Sequence, residues 1–427
     1  FWADRGSICT IWGHGLQDQF LTTGRNSTSH LIIQNSTFGR EQPGEGRGHI
    51  YMSGGALRLG PGVDEDDLVT IGRDPWGNHL TQRGYIDVQS SWAILRGNVD
   101  GVGDFHKIGD GLVDFGGTHT YSGNFFVDKG SVGIWHTGQL RGNVTMAPGT
   151  QITFYDNIAP TNTFIGNGGG RLNVINGNTL ELQGALEGDG LTIATYGSTR
   201  SGALSLGNLN SYNGTLTLDN IDFHIVNDNV LAEGLQVELI NSADLSLGSS
   251  VTIGSVTGNG NVELQSHSMT MSLPDDITTI APNFSGSQSA GLTLESRSGN
   301  PITVALTGSN TYTAETTVRE NVTLQIASAD NLPNSRIVLF NTAVLDLASG
   351  CNLSGGETGV LWLRETSSDI ADVNVSSGSA TLSGGISGYG GMNKMGAGEL
   401  IVSAFNRDRK STRLNSSHQI ISYAVFC

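Results

Sequence analysis

The residues best placed for chemistry fall in one window, Asp219, Asp222, His224, Asp228 and Glu233. Carboxylates gathered with a partner group on one exterior face are what a polysaccharide lyase or glycosidase needs. Asp222 and His224, two residues apart, point to the same side of a strand. An acidic chain produces such a scatter readily, so the expectation is that the protein is not an enzyme. Asp222, His224 and Asp228 are the catalytic candidates if it is one. The densest acidic run is Asp64-Glu65-Asp66-Asp67, in which Asp64, Asp66 and Asp67 offer the oxygen ligands that calcium takes. The run has neither EF-hand spacing nor a glycine-aspartate nonapeptide, and it reads as a solvated loop. No His-Glu-x-x-His, phosphate loop or Gly-x-Ser-x-Gly elbow occurs, and no cofactor is expected.

Three tyrosines, Tyr121, Tyr212 and Tyr312, recur at one motif position about a hundred residues apart. Flat rings serve carbohydrate sites, but recurrence at a fixed place in a repeat points to packing within or beside a core. Lys107 and Lys394 also occupy equivalent places between glycines, where a solvated lysine protecting a strand edge is expected.

The elements that hold these residues are short. Runs such as Thr179-Leu180-Glu181-Leu182, Leu216-Thr217-Leu218 and Val344-Leu345-Asp346-Leu347 place apolar residues two apart, with one face inward and the other in water. Gly-Asn, Asn-Gly and Gly-Gly pairs end the runs and supply turns. Helix is nearly absent; the best candidate, residues 228–234, is cut short by Gly234. A block written Gly101-x-Gly103-x-x-x-Lys107-x-Gly109-x-Gly111 is followed by Thr118-His119-Thr120-Tyr121. It returns as Gly388-x-Gly390-x-x-x-Lys394-x-Gly396-x-Gly398, and its second half returns around Tyr212 and as Ser309-Asn310-Thr311-Tyr312. Uneven, degenerate copies suit stacked coils of about 20 to 25 residues, some 16 to 20 of them.

These residues resemble the autotransporter-associated β-strand repeat, found in passenger regions of large secreted or surface-displayed bacterial proteins. The copy at 101–132 matches nearly throughout, with Phe105 where the family prefers Leu and His119 where it prefers Asn. The copy at 306–324 keeps Asn310-Thr311-Tyr312 but has Ala314 for a glycine. The resemblance implies an all-β, right-handed parallel β-helix (β-solenoid), a single elongated rod. It implies an extracellular or cell-surface location and an outer-membrane β-barrel downstream. It implies no catalytic activity. Host or matrix glycans or proteins are the expected partners of a stalk or adhesin; the alternatives are a polysaccharide-degrading β-helix and a passive spacer.

Three segments are expected. Residues 1–95 are a Trp-richer solenoid segment with Trp2, Trp12, Trp76 and Trp92, residues 96–406 carry the repeats, and residues 407–427 stand apart. Asp408 to His418 is similar to the translation of a common sequencing-library adapter, and Ile421 to Cys427 to its continuation, so a non-native, disordered tail is expected. The chain opens on Phe1, and both ends read as truncated. The formal charge is −17, to which the tail adds a net +3; so acidic a chain disfavours nucleic acid as a partner. Only 14% of the 427 residues are charged, against 61 glycines, a composition of turn-dense β proteins. Cys9 and Cys351 lie far apart, and two separate thiols are preferred to a long-range disulfide. No apolar run is long enough for a transmembrane helix. Gly398 stands eight residues before Asn406, as Gly111 stands before His119. The native DNA beyond the Asn406 codon is therefore expected to encode Thr-Tyr and further repeats; sequencing into a compact, unrelated domain would contradict this.

Overall fold

The computed structural model describes residues 49–403 apart from 53–55, 60, 62–63, 66–67, 73–82, 90, 198–201, 207–211, 213, 227–231, 288, 333–335, 355–359 and 364–369. It also gives the strand backbones Trp2–Ala3, Ile8–Ile11, Phe20–Thr23 and His30–Ile33. The fold is an all-β parallel β-solenoid. Two compact units divide it, one ending at Leu216 and one beginning at Thr217. Thr137–Gln139 and Ala329–Asn331 form single 3-10 turns. No helix among the described residues is long and apolar enough to cross a membrane.

In the first unit a coil passes through three sheets in turn, as Val99–Gly101, Asp104–Ile108 and Leu112–Phe115 do. Trp92 lies opposite Leu112, Leu112 opposite Ser131, Ser131 opposite Gln151 and Gln151 opposite Arg171, in unbroken parallel register. The compositional change at Arg96 therefore does not interrupt the ladder. In the second unit Leu292, Thr316, Ile337, Leu361 and Ile386 succeed one another in the same way. Coils of this length match the expectation, but there are about 14 turns rather than 16 to 20. Longer coils occur toward both ends, with His30 opposite Ala56, Ala56 opposite Tyr85 and Asn352 opposite Thr381.

Alternation drives the folding of each coil. Phe105, Val113, Phe115, Phe125, Val132 and Ile134 are completely buried, while His106 and Asp114 between them face out. Burial of each large apolar side chain contributes roughly 1.5–3 kcal/mol. A strand of three to five residues cannot enclose these alone, so each coil is stabilised by the next.

The repeat's glycines build its corner. Gly109 adopts φ +79° and Gly396 φ +76°. A Cβ on either would fall on a backbone carbonyl of the coil beneath, Val88 for Gly109 and Val375 for Gly396. The Asp87 and Asn374 side chains stand at matching places, each 2.5 Å from that position. Gly111 and Gly398 repeat the likeness, a Cβ there meeting Val88 Cγ1 and Val375 Cγ1, each at 2.7 Å. Two distant copies of the motif thus fold into the same corner in separate units.

Lys107 corrects the expectation of a solvated lysine. It occupies the same inward-facing set as Phe105 and is fully buried. Its amine donates to the carbonyls of Ile108 (3.0 Å), Gly109 (2.7 Å) and Lys129 (3.0 Å), tying two coils at the corner. Burial pushes its pKa down to about 8, against the pull of Asp87 and Asp110. Lys394 is only partly buried and bonds the carbonyls of Gly396 and Gly398, so it serves its own corner where Lys107 also reaches the next coil.

Gly177, at φ +86°, has open space where a Cβ would stand, with nothing within 4 Å, which makes it the control for Gly109. Gly177→Ala is expected to cost about 1 kcal/mol through its backbone alone. Gly109→Ala should cost about 3 kcal/mol, because the methyl group must also displace the Val88 carbonyl. Denaturant unfolding of both variants checks the difference, and equal losses would refute the stacking account.

Candidate functional site

The structure places Asp222 and His224 together on the outer face of strand Asp222–Ile225, with Phe223 and Ile225 buried behind them. Successive coils continue the two columns with Asp244 and Ser246, Asn261 and Glu263, and Asn283 and Ser285. His224 Nδ1 lies 2.9 Å from Ser246 Oγ. Asn261 donates to Asp244 (2.9 Å), and Asn283 donates to Asn261 (3.1 Å). None of these eight positions is a lysine or arginine. The polar groups run side by side in a hydrogen-bonded line, a geometry that braces neighbouring coils and converges on no single point. Asp219 accepts from Asn241 (2.8 Å) and Glu233 is exposed. Asp228 lies outside the described residues, as do Asp66, Asp67 and the side chain of Asp64. Among the described residues no three metal-ligating side chains come together.

The recurring tyrosines are core residues, at most 2% exposed. The Tyr212 hydroxyl accepts from the Leu191 amide (2.6 Å) and donates to the Thr215 carbonyl (3.0 Å). Tyr312 meets Thr316 Oγ1 at 2.5 Å, and Tyr121 packs edge-on to Phe105 with centroids 5.7 Å apart. Burial raises the pKa of all three, that of Tyr212 to about 12.

The residue two places before the repeat tyrosine has different work in the two units. Asn310 accepts from the Phe284 amide (2.8 Å) and donates to the Gly308 carbonyl (3.2 Å), so it supplies buried backbone groups with partners. His119 is fully buried against Phe115, edge-on at 4.7 Å, and Phe105 at 6.1 Å. In that aromatic surrounding desolvation drives its pKa down to about 3, with the Gln139 backbone working the other way and His136 and Arg141 adding to the fall. His119 is a neutral packing group. Gln139 meanwhile bonds the Phe115 carbonyl and accepts from the Trp135 amide (2.6 Å). In the second unit Asn331, at the matching 3-10 turn, donates to the carbonyls of Thr307 (3.0 Å) and Gly308 (3.2 Å).

One surface grouping was not expected from the sequence. Trp135 stacks on Tyr155, centroids 4.5 Å apart and planes 19° from parallel. Tyr155 reaches back over Gly133, its Cε2 2.6 Å from where a Cβ would stand, and its hydroxyl bonds the Asp114 carboxylate. Burial, followed by the Asp114 charge, pushes the tyrosine up to about 12. The available signal was an aromatic residue immediately after an inward apolar one, Ile134-Trp135 and Phe154-Tyr155, one coil apart.

No family model, curated protein or solved structure matches the chain.

The His119 imidazole generates a pH dependence with a definite sign. Its folded pKa lies below its ordinary value of 6.5. Between about 6.5 and about 3 the unfolded chain binds a proton that the folded chain excludes, so stability is intact above this window and lost as pH falls through it. His119→Asn removes that titration. The thermal midpoint of the wild type minus that of the variant is expected to fall steadily on acidification through the window; a constant difference would show that the imidazole is not the group responsible.

Proposed function

We propose that this chain is a stretch of a secreted or surface-displayed bacterial β-solenoid passenger whose role is structural and adhesive. It engages host or matrix glycans or proteins along an exterior face, and in the whole protein an outer-membrane β-barrel follows it. The observation that carries this reading is the alignment of outward residues into columns, one residue per coil. Asp222, Asp244, Asn261 and Asn283 form one such column, and Ser131, Gln151, Arg171 and Thr192 another. Parallel pairing sets the repeat along a column at about 4.8 Å. Recognition by such a surface is spread along a line, which suits an extended polymer or a broad partner more than a small molecule enclosed in a pocket. The motif resemblance supports the surface location, and the acidic net charge favours partners that are not polyanions.

Immobilised protein exposed to a glycan array, purified matrix proteins and host cells should show saturable binding to at least one of them. Binding to none above background would sink the adhesive reading and leave a mechanical spacer.

A further inference from the structure

We infer that the Trp135–Tyr155 stack is a preorganised platform for an extended, uncharged polysaccharide, an inference that rests on the adhesive reading above and names its ligand class. Four features of the first unit lead there.

The first is exposure. Trp135 is 50% exposed although one ring face lies on Tyr155, so the opposite indole face is turned to water. Tyr196 is 58% exposed. It follows Trp135, Tyr155 and Ile175 in the same column, three coils beyond Trp135, as the registers of their strands require. Three coils correspond to about 14 Å. Two solvent-facing rings at that separation match an extended oligosaccharide better than a single sugar. Sugar rings present apolar C–H faces to aromatic planes and hydroxyls at their edges, so a flat ring beside polar groups is complementary to them.

The second is the glycine beneath the stack. Gly133 sits inside the regular strand Ser131–Ile134 and is not among the residues with positive φ. The backbone there makes no demand for glycine, and a glycine within a strand weakens it. What requires the missing side chain is the Asp114–Tyr155 pair: an Asp114 carboxylate oxygen lies nearest to where a Cβ would stand, and the Tyr155 ring edge is 2.6 Å from it. Fixed between Gly133 and Asp114, Tyr155 holds the indole in place before any ligand arrives, which lowers the ordering cost of binding.

The third is the floor beside the rings. Gly133, Thr153, Asn173 and Ala194 form a low column, with Thr153 and Asn173 largely buried and Ala194 fully so. Gln151 and Arg171 rise on its other side, linked through Asn173: Arg171 Nε donates to Asn173 Oδ1 (2.9 Å) and Asn173 Nδ2 to Gln151 Oε1 (3.3 Å). The floor is thus covered by this hydrogen-bonded layer, and the polar edge that a ligand beside the rings would meet is made of Gln151 and Arg171, both part-exposed.

The fourth is charge. Asp114 and exposed Asp156 stand against Arg171 and exposed Arg96, the latter lying along Gly116 one coil before Trp135, so the charges beside the rings balance within a chain of net charge −17. A locally balanced platform on an acidic chain favours a neutral glycan, since a polyanion would meet the chain's overall repulsion.

The test is retention of the full chain on insoluble cellulose, xylan and chitin, with alginate as the acidic comparison. The variants are Trp135→Ala, Gly133→Ala and Tyr196→Ala, with Tyr389→Ala, an exposed ring of the second unit, as the control. Retention on a neutral polymer is expected, weakened roughly 3- to 10-fold by each of the first three substitutions and unchanged by the control. A second measurement does not depend on stability: cellohexaose, xylohexaose or chitohexaose should shift the tryptophan emission of the wild type and leave that of Trp135→Phe unmoved. Neutral-polymer binding that survives Trp135→Ala and Gly133→Ala overturns the platform and leaves the adhesive reading standing, as does binding confined to alginate, matrix protein or cells. Binding to none of these overturns both.

Discussion

Everything in this molecule depends on one contact, a corner of the chain resting directly on the carbonyl of the corner before it. Parallel pairing fixes the distance between coils, and the corners must fit within that distance as closely as the strands do. Gly109 on Val88 and Gly396 on Val375 meet the demand with a left-handed backbone and no side chain. Once the corners stack flat the register continues from coil to coil, and register decides everything else. It puts Phe105 between Gly84, which leaves it room, and Phe125, and it aligns the outer residues into columns.

A stack of corners also creates a polar problem, since each turn leaves carbonyls inside the corner without a strand partner. The structure answers it with side chains rising from inward-facing positions. Lys107 carries an ammonium to three carbonyls, Gln139 serves the Phe115 carbonyl, and Asn331 serves Thr307 and Gly308. Charge burial is unfavourable by itself, and it lowers the pKa of Lys107 in spite of Asp87 and Asp110. The amine remains because three hydrogen bonds to backbone carbonyls offset the cost. His119 departs from this scheme. Where Asn310 links coils through its amide, His119 fills an aromatic hollow, and Gln139 does the capping nearby.

The fold was legible in the sequence because its two determinants are local. Alternation marks the strands and glycine pairs mark the corners, so stacked short coils followed from spacing alone. The burial of Lys107 was legible too, since Phe105-x-Lys107 has the period of a single strand face; the expectation of a solvated lysine weighed residue type above position. The burial of Tyr121, Tyr212 and Tyr312 agreed with their recurrence. Less could be read of the surface. That Asp222 and His224 share a face follows from their spacing, whereas their hydrogen-bonded neighbours Ser246 and Asn261 come from other coils, and only the exact coil length brings them near. Trp135 and Tyr155 are hidden for the same reason: a difference of one residue in that coil would separate them.

This sensitivity to coil length explains why a binding surface on such a scaffold should gather where the coils are most uniform. From Trp92 to Arg171 the register advances by 19 or 20 residues at every step, while in the second unit the steps range from 17, Asp244 to Asn261, to 29, Asn352 to Thr381. Uniform steps keep the corners superposed, and superposed corners keep a column straight. An aromatic residue placed just beyond an inward apolar one then meets its counterpart one coil later at stacking distance, as Trp135 meets Tyr155. Gly133 completes the arrangement by leaving room for the tyrosine ring on the sheet surface, a use of glycine for its absent side chain where the corner glycines are used for their backbone. The same residue type therefore sets the repeat that aligns the rings and the space in which they lie.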